Sequence, residues 1–90
     1  MKMFIIERNL PGAGNMTPEE LKAIAKTSNT VITLMGKPYK WLHSYVTENK
    51  IYCIHEADNE KDILEHASCG DFPANAVEEI KTIIGPTTAV

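Results

Sequence analysis

Apolar residues recur along this chain with two different periods, and the changes between them mark out its elements. Met3 to Arg8 is a compact apolar run ended by charges, and the loop Leu10-Pro11-Gly12-Ala13-Gly14-Asn15 follows it, which predicts a first strand. From Thr17 the spacing turns helical: Leu21, Ile24, Ala25, Ser28, Val31, Ile32 and Met35 fall on one stripe. Thr17-Pro18-Glu19-Glu20 has the form of a capping box, with the threonine hydroxyl taking a free amide, Glu20 reaching back and Pro18 at the first helical position. Gly36 and Pro38 supply the stop, so a first helix is predicted from Thr17 to near Met35.

Tyr39 to Thr47 and Lys50 to Glu56 are rich in β-branched and aromatic residues. Glu48-Asn49 between them predicts a two-residue turn, with Asn49 suited to positive φ. Asp58-Asn59-Glu60 opens a second helix with acids in its first turn, Ile63, Leu64 and Ala67 give it an apolar stripe, and Gly70 ends it. Residues 76–84 fit either period. We assign a short turn near Ala74–Val77 and a fourth strand from Glu78 to Ile84, closed by Pro86.

The resulting order, β-α-β-β-α-β, is the split-βαβ or ferredoxin-like α+β arrangement, a four-stranded antiparallel sheet with two helices on one face. The other face is left bare. The first strand is apolar on both sides, Met3, Ile5 and Glu7 against Phe4, Ile6 and Arg8, as expected if one side meets the helices and the other a second subunit. A homodimer of the α+β barrel type is the expectation.

A turn at Glu48-Asn49 places opposite each other the residues whose numbers sum to 97. Val46 then faces Ile51, Ser44 faces Cys53 and Leu42 faces His55 on one side, the small residues suiting the space beneath helices. The other side collects Tyr45 with Tyr52, His43 with Ile54 and Trp41 with Glu56, and Glu7 joins from the first strand. A slip of one residue would invert the assignment. This aromatic, titratable face fits two readings. One is a plain dimer interface, in which the hydroxyls find partners. The other is a ligand cavity of Glu7, Trp41, His43, Tyr45, Tyr52 and Glu56 between two facing sheets.

Composition narrows the alternatives. Ninety residues make one domain, residues 1–90, and a core of this size gains from burying a sheet face on a partner. The net charge is −3 and the nine basic residues are scattered, so nucleic acid is not an expected partner. The first apolar run meets Glu7 and Arg8 too soon for a membrane span or signal core, and a cytoplasmic protein is expected. Cys53 and Cys69 lack C-x-x-C spacing and are expected to be reduced. The Pro-Gly-Ala-Gly loop lacks the G-x-x-x-x-G-K-[ST] pattern, and no serine stands in a recognisable triad, so no catalytic residue is assigned. Imidazole is the usual nitrogen ligand of nickel, zinc or copper, but no H-x-x-x-H spacing occurs. His66, four residues after Asp62, is read as half of an exposed charge pair, with a metal role as the alternative. His55 points away from the face that carries Glu56.

The strings Glu7-Arg8-Asn9-Leu10-Pro11-Gly12, Trp41-x-x-Ser44-Tyr45-Val46, Lys50-x-Tyr52-Cys53, Glu56-Ala57, Glu65-His66-Ala67 and Phe72-Pro73-Ala74 span nearly the whole chain, to Pro86-Thr87-Thr88-Ala89. They resemble a family of small bacterial proteins of unassigned function whose best-described type is a nickel-binding protein. The resemblance implies a ferredoxin-like fold in a dimeric α+β barrel, and nickel binding. The expected function is thus a non-catalytic homodimeric binding protein for a divalent transition metal, nickel first, using His43, Glu7 and Glu56 with His66 as a further donor and no organic cofactor. The alternatives are a cofactor-free barrel-type enzyme or small-molecule binder using the cavity between the sheets, and a structural or interaction module.

Overall fold

Four strands and two helices alternate as expected in the computed structural model, which describes all 90 residues: β1 (Lys2–Asn9), α1 (Pro18–Met35), β2 (Tyr39–Val46), β3 (Lys50–Ala57), α2 (Glu60–Cys69) and β4 (Ala76–Glu79). The sheet is antiparallel in the order β2-β3-β1-β4. Phe4, Ile6 and Arg8 of β1 and Ile51, Cys53, His55 and Ala57 of β3 are buried on its inner face, where Ile63 of α2 and Ile32 and Met35 of α1 complete the core. No helix is long and apolar enough to cross a membrane.

Local chemistry sets the helix ends. Thr17 caps α1 with the predicted reciprocal box: its hydroxyl accepts from the Glu20 amide at 3.2 Å, and Glu20 accepts from the Thr17 amide at 3.0 Å. Gly36 closes α1 in the left-handed conformation, φ 62°. Asn59 caps α2 by accepting from the Asp62 amide at 2.9 Å. Gly70 ends α2 as expected, in the right-handed conformation, and the positive φ falls on Asp71 at 55°. What Gly70 provides is room: a Cβ there would run into the Phe72 ring.

Three expectations change. Asn49 does not adopt positive φ. Its side chain instead accepts from the Gly12 amide at 3.0 Å and its carbonyl from Leu10 at 2.9 Å, tying the hairpin tip to the loop after β1. The fourth strand begins and ends earlier than Glu78–Ile84. It pairs Ala76–Glu79 with Glu7–Phe4 and adds one bond from the Ile80 amide to the Met3 carbonyl, 2.8 Å. Continued, that register would carry residues 82 to 84 past the end of β1 at Lys2, and Ile83 and Ile84 stay exposed.

The third change bears on function. The hairpin follows the predicted register from Val46↔Ile51 to His43↔Ile54, but then Trp41 pairs with His55, because Leu42 is an extra residue in a β-bulge. A bulge reverses the facing of everything beyond it. Tyr39 and Trp41 therefore turn under the helices, and Leu42 is left on the outside, 41% exposed. The placement of Trp41 on the open face is corrected accordingly.

Candidate functional site

Beneath α1 the inner face does not close completely. Between the helix and the sheet is a chamber of ≈ 250 Å³. Leu21, Ile24, Ala25 and Ser28 of α1 form one wall. Arg8 of β1, Trp41, Ser44 and Val46 of β2, and Ile51, Cys53 and His55 of β3 form the other, with Leu10, Phe72 and Pro73 at the margins. Nine of its fourteen lining residues are hydrophobic, so polar groups enter only at defined places, as in sites for small organic molecules.

The polar groups in this wall and just behind it mostly hold one another. The Trp41 indole N–H donates to Ser44 Oγ at 2.9 Å. The Tyr39 hydroxyl meets His55 Nδ1 at 2.6 Å, and Ser28 Oγ meets His66 Nε2 at 3.1 Å. His66 is sandwiched between Tyr39, with centroids 5.1 Å apart and planes at 12°, and Phe72, at 5.7 Å and 20°. Its Nδ1 is buried without a partner. His55 stands edge-on to His66 at 5.1 Å. Burial holds both imidazoles neutral, His55 to a pKa of about 3, helped by His66 and Arg8, and His66 to about 4, helped by Arg8 and opposed by Ser28. Burial also raises the Tyr39 phenol above its ordinary value, against the pull of Arg8.

Arg8 is the exception. It is 4% exposed, yet all four ion pairs of the chain are made by lysines. Its Nε donates to Cys53 Sγ at 3.3 Å, its Nη1 to the Pro73 carbonyl at 2.7 Å, and its guanidinium carbon lies 5.4 Å from the centre of the Phe72 ring. Nη2 makes no hydrogen bond within the chain.

The open face has another character. Met3, Leu42, His43, Tyr45, Ile54, Ile80 and Ile83 line a shallow groove on it. Tyr45, Leu42 and Ile83 are well exposed, and the His43 ring meets Tyr45 edge-on at 5.1 Å. Glu7 binds Lys50 at 2.9 Å and receives the Tyr52 hydroxyl at 3.5 Å. Lys50 holds the Glu7 carboxyl below its usual range. Glu56 lies beside Met3 and Lys40 in the sheet register.

Of the residues proposed for a cavity on this face, Glu7, His43, Tyr45, Tyr52 and Glu56 do share it, and Trp41 does not. His66, expected at the surface, is 1% exposed beneath the helices, and its helix mate Asp62 is buried too, at 3.5 Å from Lys37. The sheet thus separates His66 from His43, and the two cannot ligate one ion. Nowhere in the chain do three His, Cys, Asp or Glu side chains come together.

The sequence reading missed the chamber. One signal for it was present: Arg8 shares the parity of Phe4 and Ile6, so the alternation itself carries a cation onto the buried face. The crystal structure of SCO4226 from Streptomyces coelicolor A3(2) matches this fold with a TM-score of 0.78, over 91% of this chain and 99% of that one, at 13% sequence identity. No curated protein sequence matches. The family model described as nickel responsive protein SCO4226-like matches residues 4–80, most of the chain, which therefore belongs to the SCO4226-like family.

Proposed function

We infer that the chain is a non-catalytic binding protein that takes a small organic molecule into the chamber between α1 and the sheet, and that two copies pack through their open sheet faces. The observation that carries the ligand reading is the chamber: a preformed, mainly apolar space of ≈ 250 Å³ in a 90-residue domain, where such volume otherwise lowers stability. Its walls are held by hydrogen bonds of their own, Trp41 to Ser44 and His55 to Tyr39, so the space keeps its shape without a guest. Support for a dimer comes from the apolar groove around Leu42, Tyr45, Ile54 and Ile83 on the side that no helix covers.

Trp41 is the only tryptophan and lines the chamber, so its emission reports on occupancy directly. Titrating the protein with small aromatic probes should shift Trp41 emission, and Ala25→Phe, which fills the chamber from α1, should abolish the shift in a folded protein. Unchanged emission with every probe, or an Ala25→Phe protein that responds as the parent does, would overturn the reading.

The family's description supports a second reading, in which nickel is the ligand. It requires donors from two copies: His43 lies on the face proposed for the interface, together with Glu7 and Glu56. Calorimetric titration with nickel should then show binding that His43→Ala removes and that forced monomers lack. Absence of binding at micromolar metal would rule it out.

A further inference from the structure

We propose that the chamber selects a small monocarboxylate with an apolar body, its carboxylate held by Arg8. This rests on the chamber being a ligand site, and adds what kind of ligand it takes. A buried guanidinium is costly unless an anion or a full set of acceptors compensates it. Arg8 has neither. The chain carries twelve acidic residues, and none forms an ion pair with it. Its two hydrogen bonds go to a thiol and a carbonyl, through Nε and Nη1, and neither engages Nη2.

Those bonds have a structural use, since the one to Pro73 latches the Phe72–Pro73 loop onto β1 and the one to Cys53 joins β1 to β3, but neutral acceptors leave the charge itself unanswered. They also fix the guanidinium plane, and Phe72 at 5.4 Å supports it from one side. What remains is Nη2, on a side chain that lines the chamber. A carboxylate there meets a cation already oriented and mostly withdrawn from water, where a charge-assisted hydrogen bond gains strength.

The rest of the wall sets the remainder of the ligand. Arg8 is the only charged side chain in the lining, because His55 stays neutral at ordinary pH. A second charge on the guest would therefore face Leu21, Ile24 or Val46 without a partner, which excludes dianions and zwitterions. Dry apolar cavities of roughly 150 Å³ hold benzene. The larger space here suits a ring or branched chain with a short acid arm, and Trp41 offers it an aromatic wall.

The test uses the full chain and three matched probes: 4-phenylbutyrate, 4-phenylbutanamide and 4-phenylbutylamine, followed by Trp41 emission and by calorimetry. The carboxylate should bind at least tenfold more tightly than the amide, and the amine should not bind measurably. Arg8→Met should bring the carboxylate down to the affinity of the amide while leaving the amide unchanged. Arg8→Lys, which keeps the charge but loses the planar fork, should fall between. Equal affinity of acid and amide for the unmodified chain, or a preference that survives Arg8→Met, would overturn the proposal and leave the chamber as a neutral site. Failure of all three probes to bind would overturn both readings. Should Arg8→Met fail to fold, the acid, amide and amine comparison on the unmodified protein still decides.

Discussion

Mild acid should unfold this protein through two buried histidines. His55 and His66 are each 1% exposed, within 5.1 Å of each other and close enough to Arg8 to feel its charge, and both are held neutral. Their folded pKa values of about 3 and about 4 lie below the 6.5 of an unfolded chain. The unfolded state therefore binds more protons than the folded one between those limits. Stability is full above pH 6.5 and falls as the pH drops through the window, since ∂ΔG/∂pH follows the difference in bound protons. Between pH 6 and 5 the unfolded chain carries between one and two extra protons, and the slope should be about 2 kcal/mol per pH unit. At pH 5 the accumulated loss is about 4 kcal/mol, against a total of roughly 5–13 kcal/mol for a domain of this length. Urea titrations at pH 7.5, 6.0, 5.5 and 5.0, followed by far-ultraviolet circular dichroism, measure it in a range above the usual carboxylate titrations. His66→Phe keeps the stack between Tyr39 and Phe72 and removes one titrating group, so it should roughly halve the slope. A slope below about 0.5 kcal/mol per pH unit, or an unaltered slope in His66→Phe, would refute the assignment of buried neutral imidazoles.

The remaining predictions test the joints around the chamber. Gly14→Ala should lower stability by about 1–3 kcal/mol in urea unfolding, because a Cβ there would lie 2.9 Å from the Glu48 backbone at the hairpin tip, where Gly14 also donates to the Glu48 carbonyl. Tyr39→Phe should cost about 1–3 kcal/mol by leaving His55 Nδ1 buried without its partner, and a cost near zero would mean that the 2.6 Å contact contributes nothing. Leu42→Glu, placed at the exposed bulge, should leave the circular dichroism and urea midpoint of the monomer unchanged while lowering the mass measured by light scattering from two copies to one.

Elements with local causes were legible in the residues. The capping box at Thr17 and Glu20, the stop at Gly36, the Asn59 cap and the alternation along β1 act over a few residues, and each occurs where the spacing places it. The apolar double face of β1 was enough to give the sheet one covered and one open side, and to put Glu7, His43, Tyr45, Tyr52 and Glu56 together on the latter. The hairpin register was correct as far as His43, because the length of its connection alone sets it.

Past that point the outcome was decided by packing. An insertion of one residue in a strand costs little locally and has no sequence signature of its own, but it decides which side receives every residue beyond it. With Leu42 bulged out, Trp41 reaches Ser44 within β2, and Tyr39 reaches His55, a gain available only once β3 is in place. His66 was misread for a related reason. An i, i+4 spacing from Asp62 says that the two share a helix face, not whether that face meets water or the ring of Tyr39, which lies 27 residues away in the chain. The sequence by itself determined the elements, their order and the charge that β1 carries inward. Only the tertiary structure determined that this charge meets no acid and that α1 stands off far enough to leave space beside it, because both depend on contacts between segments that have no proximity along the chain.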